Sequence, residues 1–152
     1  MPPLLKYEDY TIAWICAVKA ELLAAMVMLD ERHKGVFPSR NGDENQYIPG
    51  TIAGHNVIIV ALPRRTTGTV SAATLVTNLK ANFRNIRHGL LVGIGAGVPG
   101  RNLKPDIRLG DVIVAGPGDD SNSSQGVLQY DLGKESVDNF VSMGGFNRQI
   151  AV

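Results

Sequence analysis

Apolar residues occur in runs whose spacing divides the chain into alternating strands and helices. The nearly unbroken apolar run at residues 10–18 predicts a strand that is covered on both faces. From about Lys19 the apolar spacing changes to that of a helix, which we expect to extend to the basic residues His33 and Lys34 before Gly35. The chain therefore opens with a strand that leads directly into a helix.

A predicted hairpin, a second helix and further strands follow along the chain. Two short β-prone runs, at residues 47–53 and 57–62, are separated by residues 54–56 and predict a hairpin. A helix is expected over residues 69–83, and its predicted buried face consists of Val70, Ala73, Val76, Leu79 and Phe83. Further strands are expected at residues 89–94, 111–115 and 127–130.

Alternation of strands and helices indicates an α/β layer structure with a mixed sheet. Ligands of such sheets bind beyond the carboxyl ends of the strands. This rule brings three segments into one candidate site: the turn after Val18, the loop at residues 63–68 and the loop after Val92.

Composition and charge exclude several classes of protein. The 152 residues are enough for one domain, and an apolar content of 44% indicates a globular chain. Fifteen Lys and Arg residues are balanced by fourteen Asp and Glu residues, so no basic excess is available to bind nucleic acid. The sequence contains no secretion signal and no apolar run near the ~20 residues of a membrane helix, which predicts a cytoplasmic protein that does not bind membranes.

Cysteine and histidine usage argues against disulfide and metal chemistry. The single cysteine, Cys16, can form neither an internal disulfide nor a cysteine-based zinc site, and it is expected to be a small buried apolar side chain. The three histidines have no spacing that suggests a metal site. We therefore expect no metal and no cofactor.

A glycine-rich segment, GIGAGVPG, occupies residues 93–100. From Gly95 it fits the dinucleotide-binding pattern G-x-G-x-x-G, but that pattern requires a helix directly afterwards, and Pro99 and Pro105 oppose one. The glycines allow either a strand end whose backbone N–H groups approach a ligand closely or a tight turn between two strands.

Glu21 lies in the first turn of the first predicted helix. A carboxylate at this position commonly complements the helix dipole, and one held at the strand ends can also accept a proton from water. The helix start lowers the pKa of such a group and burial raises it, and the sequence does not decide between them. Arg64 and Arg65 are either an anion site or solvated side chains.

Five segments taken together resemble the purine and uridine phosphorylase and nucleosidase superfamily. They are residues 10–22, 68–73, 91–99, 106–114 and 127–134. The combination is most similar to the fungal nucleoside phosphorylase-like domain that is found ahead of NACHT, ankyrin or TPR regions. Residues 1–9 would then be an N-terminal tail, and residues 10–152 the N-terminal part of this domain.

The resemblance implies a three-layer α/β fold with a central mixed, partly barrel-like sheet, incomplete at the C-terminus. It also implies cleavage of the N-glycosidic bond of a nucleoside, in which phosphate or water captures a ribose with oxocarbenium character. Glu21 matches the glutamate that positions and deprotonates the attacking water in nucleosidases. The substrate-binding residues implied by the resemblance are Thr67, Gly68, Gly93, Ile94, Gly95, Ala96 and Gly97.

Two departures from the family pattern favour water over phosphate as the nucleophile. Leu91 stands where uridine-type phosphorylases have a phosphate-binding arginine, and residues 17–21 replace their Gly-Asp-x-x-Arg loop. Arg64 and Arg65 could still bind phosphate, so phosphorolysis stays open. The implied partner is a nucleoside, with phosphate as an option, and the family also allows a homo-oligomer.

The family's ribose-binding Met-Glu and base-protonating Asp lie beyond the end of this chain. Loss of a general acid commonly costs about 10²–10⁴ in rate, so the chain as given is expected to be inactive or nearly so. Two other interpretations compete with an enzyme. One is a module that senses a nucleoside or nucleotide for attached signalling domains, and the other is a gene-prediction remnant without function.

Overall fold

The computed structural model describes residues 5–34, 37, 42–63, 66, 68–97, 107–114, 133–135 and 140–142. The chain divides into two compact units, Met1–Ala96 and Gly97–Val152. The first unit contains a short 3₁₀ helix at Tyr7–Asp9 and most of the regular structure. Its elements are β1 (Ile12–Cys16), α1 (Lys19–Val27), β2 (Glu31–Arg32), β3 (Gln46–Ile52), β4 (His55–Ala61), α2 (Thr69–Asn82) and β5 (His88–Leu91).

The five strands of the first unit form one mixed sheet in the order β2-β3-β4-β1-β5. Strand β1 pairs in parallel with both β4 and β5, whereas β3 is antiparallel to β4 and to β2. The prediction of an α/β structure with a mixed sheet is thus confirmed. These five strands do not close into a barrel, so the partly barrel-like sheet implied by the resemblance is not observed in them.

One helix packs on each face of the sheet, because the central strands are apolar on both sides. Ala13 of β1 and Ile58 of β4 face α2 and are buried with its Leu75 and Leu79. Residues of opposite parity in the same strands face α1, where Cys16, Val57 and Ile59 are buried with Ala25. The alternation of side chains along a strand therefore supplies two separate cores.

The buried face of α2 differs from the predicted one. Leu75, Leu79 and Phe83 are buried, but 79% of the Val70 surface is exposed, and Ala73 and Val76 are exposed too. Nine residues separate Val70 from Leu79, which is two and a half helical turns, so their side chains lie on opposite sides of the helix. The five predicted residues spread over more than one face of the helix, and only the face around Leu79 packs on the sheet.

Helix α1 is shorter than the sequence pattern predicts. It ends at Val27. Residues 31–32, which the pattern placed in the helix, form strand β2, and the basic residues His33 and Lys34 follow that strand. His33 is held between two side chains, with Nδ1 2.9 Å from the Tyr10 hydroxyl and Nε2 2.6 Å from Thr51 Oγ1. Pairing with β3 thus overrides the local helical spacing.

The predicted hairpin is confirmed, but its turn lies earlier in the sequence. Ile52 pairs with His55, and the two residues between them, Ala53 and Gly54, have φ angles of +48° and +79°. Two consecutive positive φ angles are typical of the two-residue turn that matches the twist of antiparallel strands. Alanine is an unfavourable residue at the first of these positions.

Replacement of Ala53 with asparagine is therefore expected to stabilise the chain. Asparagine tolerates the left-handed conformation, and the variant keeps the backbone N–H that donates to Asp30 Oδ2 at 2.6 Å. We expect a gain of roughly 0.5 kcal/mol in the free energy of unfolding. Urea denaturation measures it, with Ala72→Asn at an exposed position of helix α2 as the control. An unchanged or lower midpoint for Ala53→Asn would contradict the turn geometry.

The second unit contains a small hairpin that the sequence pattern did not predict. Its strands β6 (Gly133–Glu135) and β7 (Phe140–Ser142) are antiparallel. The strand predicted at residues 111–115 is not observed over its described part, residues 111–114. These residues are irregular and follow a turn at 109–110, across which Asp111 Oδ2 accepts the Arg108 N–H at 2.8 Å. The strand predicted at residues 127–130 lies outside the described residues. No helix in the described part of the chain has the length and apolar character needed to cross a membrane.

Candidate functional site

The candidate site lies at the edge of the sheet where its parallel strands end. Strands β1, β4 and β5 all point their carboxyl ends to this edge. Helix α1 leaves the end of β1 toward one face, and α2 leaves the loop after β4 toward the other face. Such connections leave a crevice between β1 and β4, where α/β sheets often bind ligands, but the cleft described below is lined by β1, α1 and the loop after β5.

The carboxylate of Glu21 joins two of the segments at this edge. Its Oε2 atom accepts hydrogen bonds from the backbone N–H groups of Ala17 at 2.7 Å and Val18 at 3.0 Å. Its Oε1 atom accepts the backbone N–H of Ile94 at 2.9 Å. The turn between β1 and α1 is thereby fastened to the glycine-rich loop after β5.

The position of Glu21 follows from the start of α1. Val18 precedes the helix and has no side-chain acceptor, and the backbone N–H groups of Ala17 and Val18 lie just before the first turn. Glu21 is the third helical residue, from which a glutamate side chain reaches back to the residue before the helix. The same side chain then has a second oxygen left for Ile94.

The hydrogen bonds decide the ionisation that the sequence left open. Partial burial raises the pKa of Glu21, but the backbone N–H groups of Ile94, Val18 and Ala17 together outweigh it, and the pKa is lowered. Glu21 is therefore a carboxylate at neutral pH.

The absence of a side chain at Gly93 accommodates Glu21. A Cβ atom at position 93 would lie 2.6 Å from Glu21 Oε1, closer than Cβ atoms approach other heavy atoms, so the Glu21 side chain would have to shift. Gly95, two residues on, has open space at the same point. The lack of a side chain at Gly93 thus lets the carboxylate reach the Ile94 N–H.

A shallow cleft of about 230 Å³ borders this carboxylate. It is smaller than the ~300–1,000 Å³ typical of sites for drug-sized ligands, and most of its wall is apolar. The residues that line it are Trp14, Ala20, Glu21, Ala24, Val92, Gly93 and Ile94.

The structure brings together three of the predicted site residues, Glu21, Gly93 and Ile94. Gly95 and Ala96 follow in the same loop and are exposed. The remaining predicted residues do not join this group in the described structure. Gly68 precedes α2 and is not in the cleft wall, Gly97 belongs to the second unit, and Thr67, Arg64 and Arg65 lie outside the described residues.

The apolar wall of the cleft was missed by the sequence analysis. Trp14 alternates with Ile15 along β1, and Ala20 and Ala24 are four residues apart on α1. Trp14 and Cys16 lie on the same face of β1, and Ala20 and Ala24 lie on the same face of α1. These two patterns together could have located the wall from the sequence.

A protein from a fungus is similar to nearly the whole chain. Over 145 residues, 95% of its length, the chain is 43% identical to a protein of the fungus Hyaloscypha variabilis named nucleotide-binding leucine-rich repeat (NLR)-like protein. A fungal NLR-like protein is thus a homologue of this chain. The chain spans 14% of the length of this NLR-like relative. No protein-family model and no solved structure matches the chain, so the resemblance to nucleoside phosphorylases stays a prediction.

A second cleft, of about 200 Å³, lies between residues 42–45 and α2. Beneath it the buried Asp43 accepts hydrogen bonds from the Tyr47 hydroxyl at 2.7 Å and from the Asn82 side chain. Asn45 Nδ2 also donates to the Leu75 carbonyl at 3.2 Å. Burial, chiefly, raises the pKa of Tyr47 to about 12, so its phenol stays protonated. These bonds attach the segment to α2, which is a structural role.

The sequence predicts a small buried side chain at Cys16 and no metal site. Cys16 is an unbridged and fully buried thiol, as predicted. Burial raises its pKa, and the nearby Glu21 charge adds to the rise. The described residues contain no group of three or more His, Cys, Asp or Glu side chains that could hold a metal ion.

Gly68 is needed for its backbone conformation. Its φ is +90° and its ψ is 173°, a combination essentially confined to glycine, whereas a Cβ atom there would meet no neighbour. Gly68→Ala should therefore lower the free energy of unfolding by about 1–3 kcal/mol through backbone strain alone. Gly89→Ala is the control, because Gly89 also has open space but no positive φ. Equal urea midpoints for the two variants would argue against strain at Gly68.

Proposed function

We propose that the Glu21 cleft cleaves the N-glycosidic bond of a nucleoside, with water as the nucleophile. One observation carries the proposal: an ionised carboxylate is fixed against a glycine-rich strand-end loop, 2.9 Å from the Ile94 N–H, at the mouth of a small apolar cleft. The two segments that meet here, residues 10–22 and 91–99, are among the five that resemble the nucleoside phosphorylase and nucleosidase superfamily.

The carboxylate suits a reaction that develops positive charge. Glu21 Oε1 accepts one hydrogen bond from the described residues, so it retains capacity for an O–H donor such as water. Its negative charge also favours an oxocarbenium-like sugar placed beside it. Because its pKa is lowered, Glu21 is a weak base, and it acts mainly by orienting water and stabilising the cationic sugar.

The chemistry of the cleft wall supports water over phosphate. The seven residues that line the cleft include no lysine, arginine or histidine, so a phosphate ion would meet the Glu21 carboxylate without a cationic partner. The wall also offers no acid besides Glu21 to protonate the departing base. We therefore expect slow hydrolysis, since a missing general acid costs about 10²–10⁴ in rate.

Release of free base tests the proposal. The full chain, in excess over adenosine, inosine or uridine, is incubated with and without phosphate, and the base is quantified by chromatography. We expect slow release that does not depend on phosphate. Glu31→Gln, which alters an exposed carboxylate on the far edge strand, should release base like the unmodified chain. Release that requires phosphate would replace hydrolysis by phosphorolysis.

A second candidate is a module that binds a nucleoside or nucleotide without turnover. Two observations favour it: the Glu21 carboxylate is occupied by three backbone donors, and the fungal relative is a much longer protein whose name includes nucleotide-binding. If calorimetry detects binding of adenosine and no base is released, the result would favour this binding module over nucleoside hydrolysis.

A further inference from the structure

We propose that Trp14 determines the ligand specificity of the Glu21 cleft by packing against the planar base of a nucleoside. The identity of the ligand as a nucleoside rests on the proposed function. The part played by Trp14 is argued from the shape of the cleft and from the distribution of polar groups in it.

The cleft is a slot between α1 and the sheet. Ala20 and Ala24 are one turn apart on α1 and contribute only methyl groups to one wall. Trp14 and Val92 belong to the other wall. Trp14 pairs with Leu90 of β5, and Val92 follows Leu90 by two residues. A slot with small side chains opposite an indole ring fits a flat ligand.

The surface that Trp14 offers to the slot is apolar. Its Nε1 atom is buried, so the exposed part of the side chain consists of carbon atoms. Such a surface packs well against the face of an aromatic ring, because every base has a π-face and stacking needs no particular hydrogen-bond pattern.

Polar groups are confined to one end of the slot. Glu21 and the backbone of Gly93 lie at the end near the strand termini, and Ala24 is three residues, about 4.5 Å, further along α1. A nucleoside has a polar sugar and a planar base joined by one bond. Its sugar therefore fits beside Glu21 and its base between Trp14 and Ala24.

Trp14 is the single tryptophan of the chain, so tryptophan emission, excited selectively over that of the four tyrosines, reports on this wall alone. Titration of the full chain with adenosine should change the Trp14 emission saturably, and ribose, which lacks the base, should leave it unchanged. Unchanged emission while calorimetry detects saturable adenosine binding would overturn the inference, as would the absence of adenosine binding in both measurements.

Two substitutions complete the test. Ala24→Leu, at an exposed position of α1, fills the slot and should weaken adenosine binding at least about tenfold, which is the size of one base–aromatic stacking contact. Ala73→Leu, at an exposed position of α2, is the matched control and should bind normally. Trp14→Leu should weaken calorimetric binding similarly, and Trp14→Phe should restore most of it. Equal affinities for Ala24→Leu and Ala73→Leu would contradict the inference.

The failure of this inference is distinguishable from that of the proposed function. If Ala24→Leu weakens the base-dependent fluorescence change and no base is released, the Trp14 contact is supported and the proposed hydrolysis is contradicted. If base is released and Ala24→Leu does not alter its rate, the proposed hydrolysis is supported and the Trp14 contact is contradicted.

Discussion

Replacement of Glu21 with glutamine should slow the release of base from a nucleoside by at least about 100-fold, to a level at or near background. Glutamine has almost the same shape, but it carries no charge to favour a cationic sugar. It also has one carbonyl oxygen where the carboxylate has two acceptors. Chromatography of the released base with the chain in excess measures the effect, with Glu31→Gln as the matched control.

The same substitution should have a second, pH-dependent consequence. An amide cannot accept N–H groups on both of its terminal atoms, so Glu21→Gln should lower the free energy of unfolding by about 1–2 kcal/mol near neutral pH. Because the folded pKa of Glu21 is lowered, this contribution is complete above the ordinary glutamate pKa of about 4.3 and is lost as the pH falls through the lower folded value. A stability difference that does not shrink in acid would argue against the hydrogen bonds to the carboxylate.

The second large effect is expected from Gly93→Ala. The added Cβ atom would lie 2.6 Å from Glu21 Oε1, so the carboxylate must move away from the Ile94 N–H. A displacement of about 1 Å in a reacting or positioning group can cost about 100-fold in rate, and we expect a loss of base release of that order. The broken hydrogen bond should also lower the free energy of unfolding by about 1–2 kcal/mol.

Gly95→Ala is the matched control for this effect. It places the same methyl group two residues further along the same loop, where a Cβ atom meets open space. We expect Gly95→Ala to retain both base release and stability. If the two variants behave alike, the close approach of Gly93 to Glu21 has no functional meaning.

Features fixed by local sequence were the ones that could be predicted. The apolar run of β1 passes directly into α1 at Lys19, and both the strand and the start of the helix are confirmed. The helix at residues 69–83 is also confirmed, as Thr69–Asn82. Here hydrophobic spacing and the residues before each helix agree with the tertiary packing.

Features that depend on tertiary packing could not be predicted from local sequence patterns. His33 lies beyond the short strand β2, because pairing with β3 ends the helical pattern early. Val70 fits a helical repeat but lies opposite the side that docks on the sheet. The contact between Glu21 and Ile94 joins residues 73 positions apart, and it was suggested by the resemblance and by the sheet rule rather than by local pattern. Trp14 was missed because the cleft that it lines is completed by Val92 and Ile94, which are distant from it in sequence.

The most direct test of the central claim is to identify the sugar product. The full chain, in excess over adenosine and in the presence of phosphate, should form adenine and free ribose in equal amounts and no ribose 1-phosphate. Glu21→Gln should form neither product above background. Equal yields of adenine from the unmodified chain and from Glu21→Gln would contradict the account, as would the absence of adenine from both.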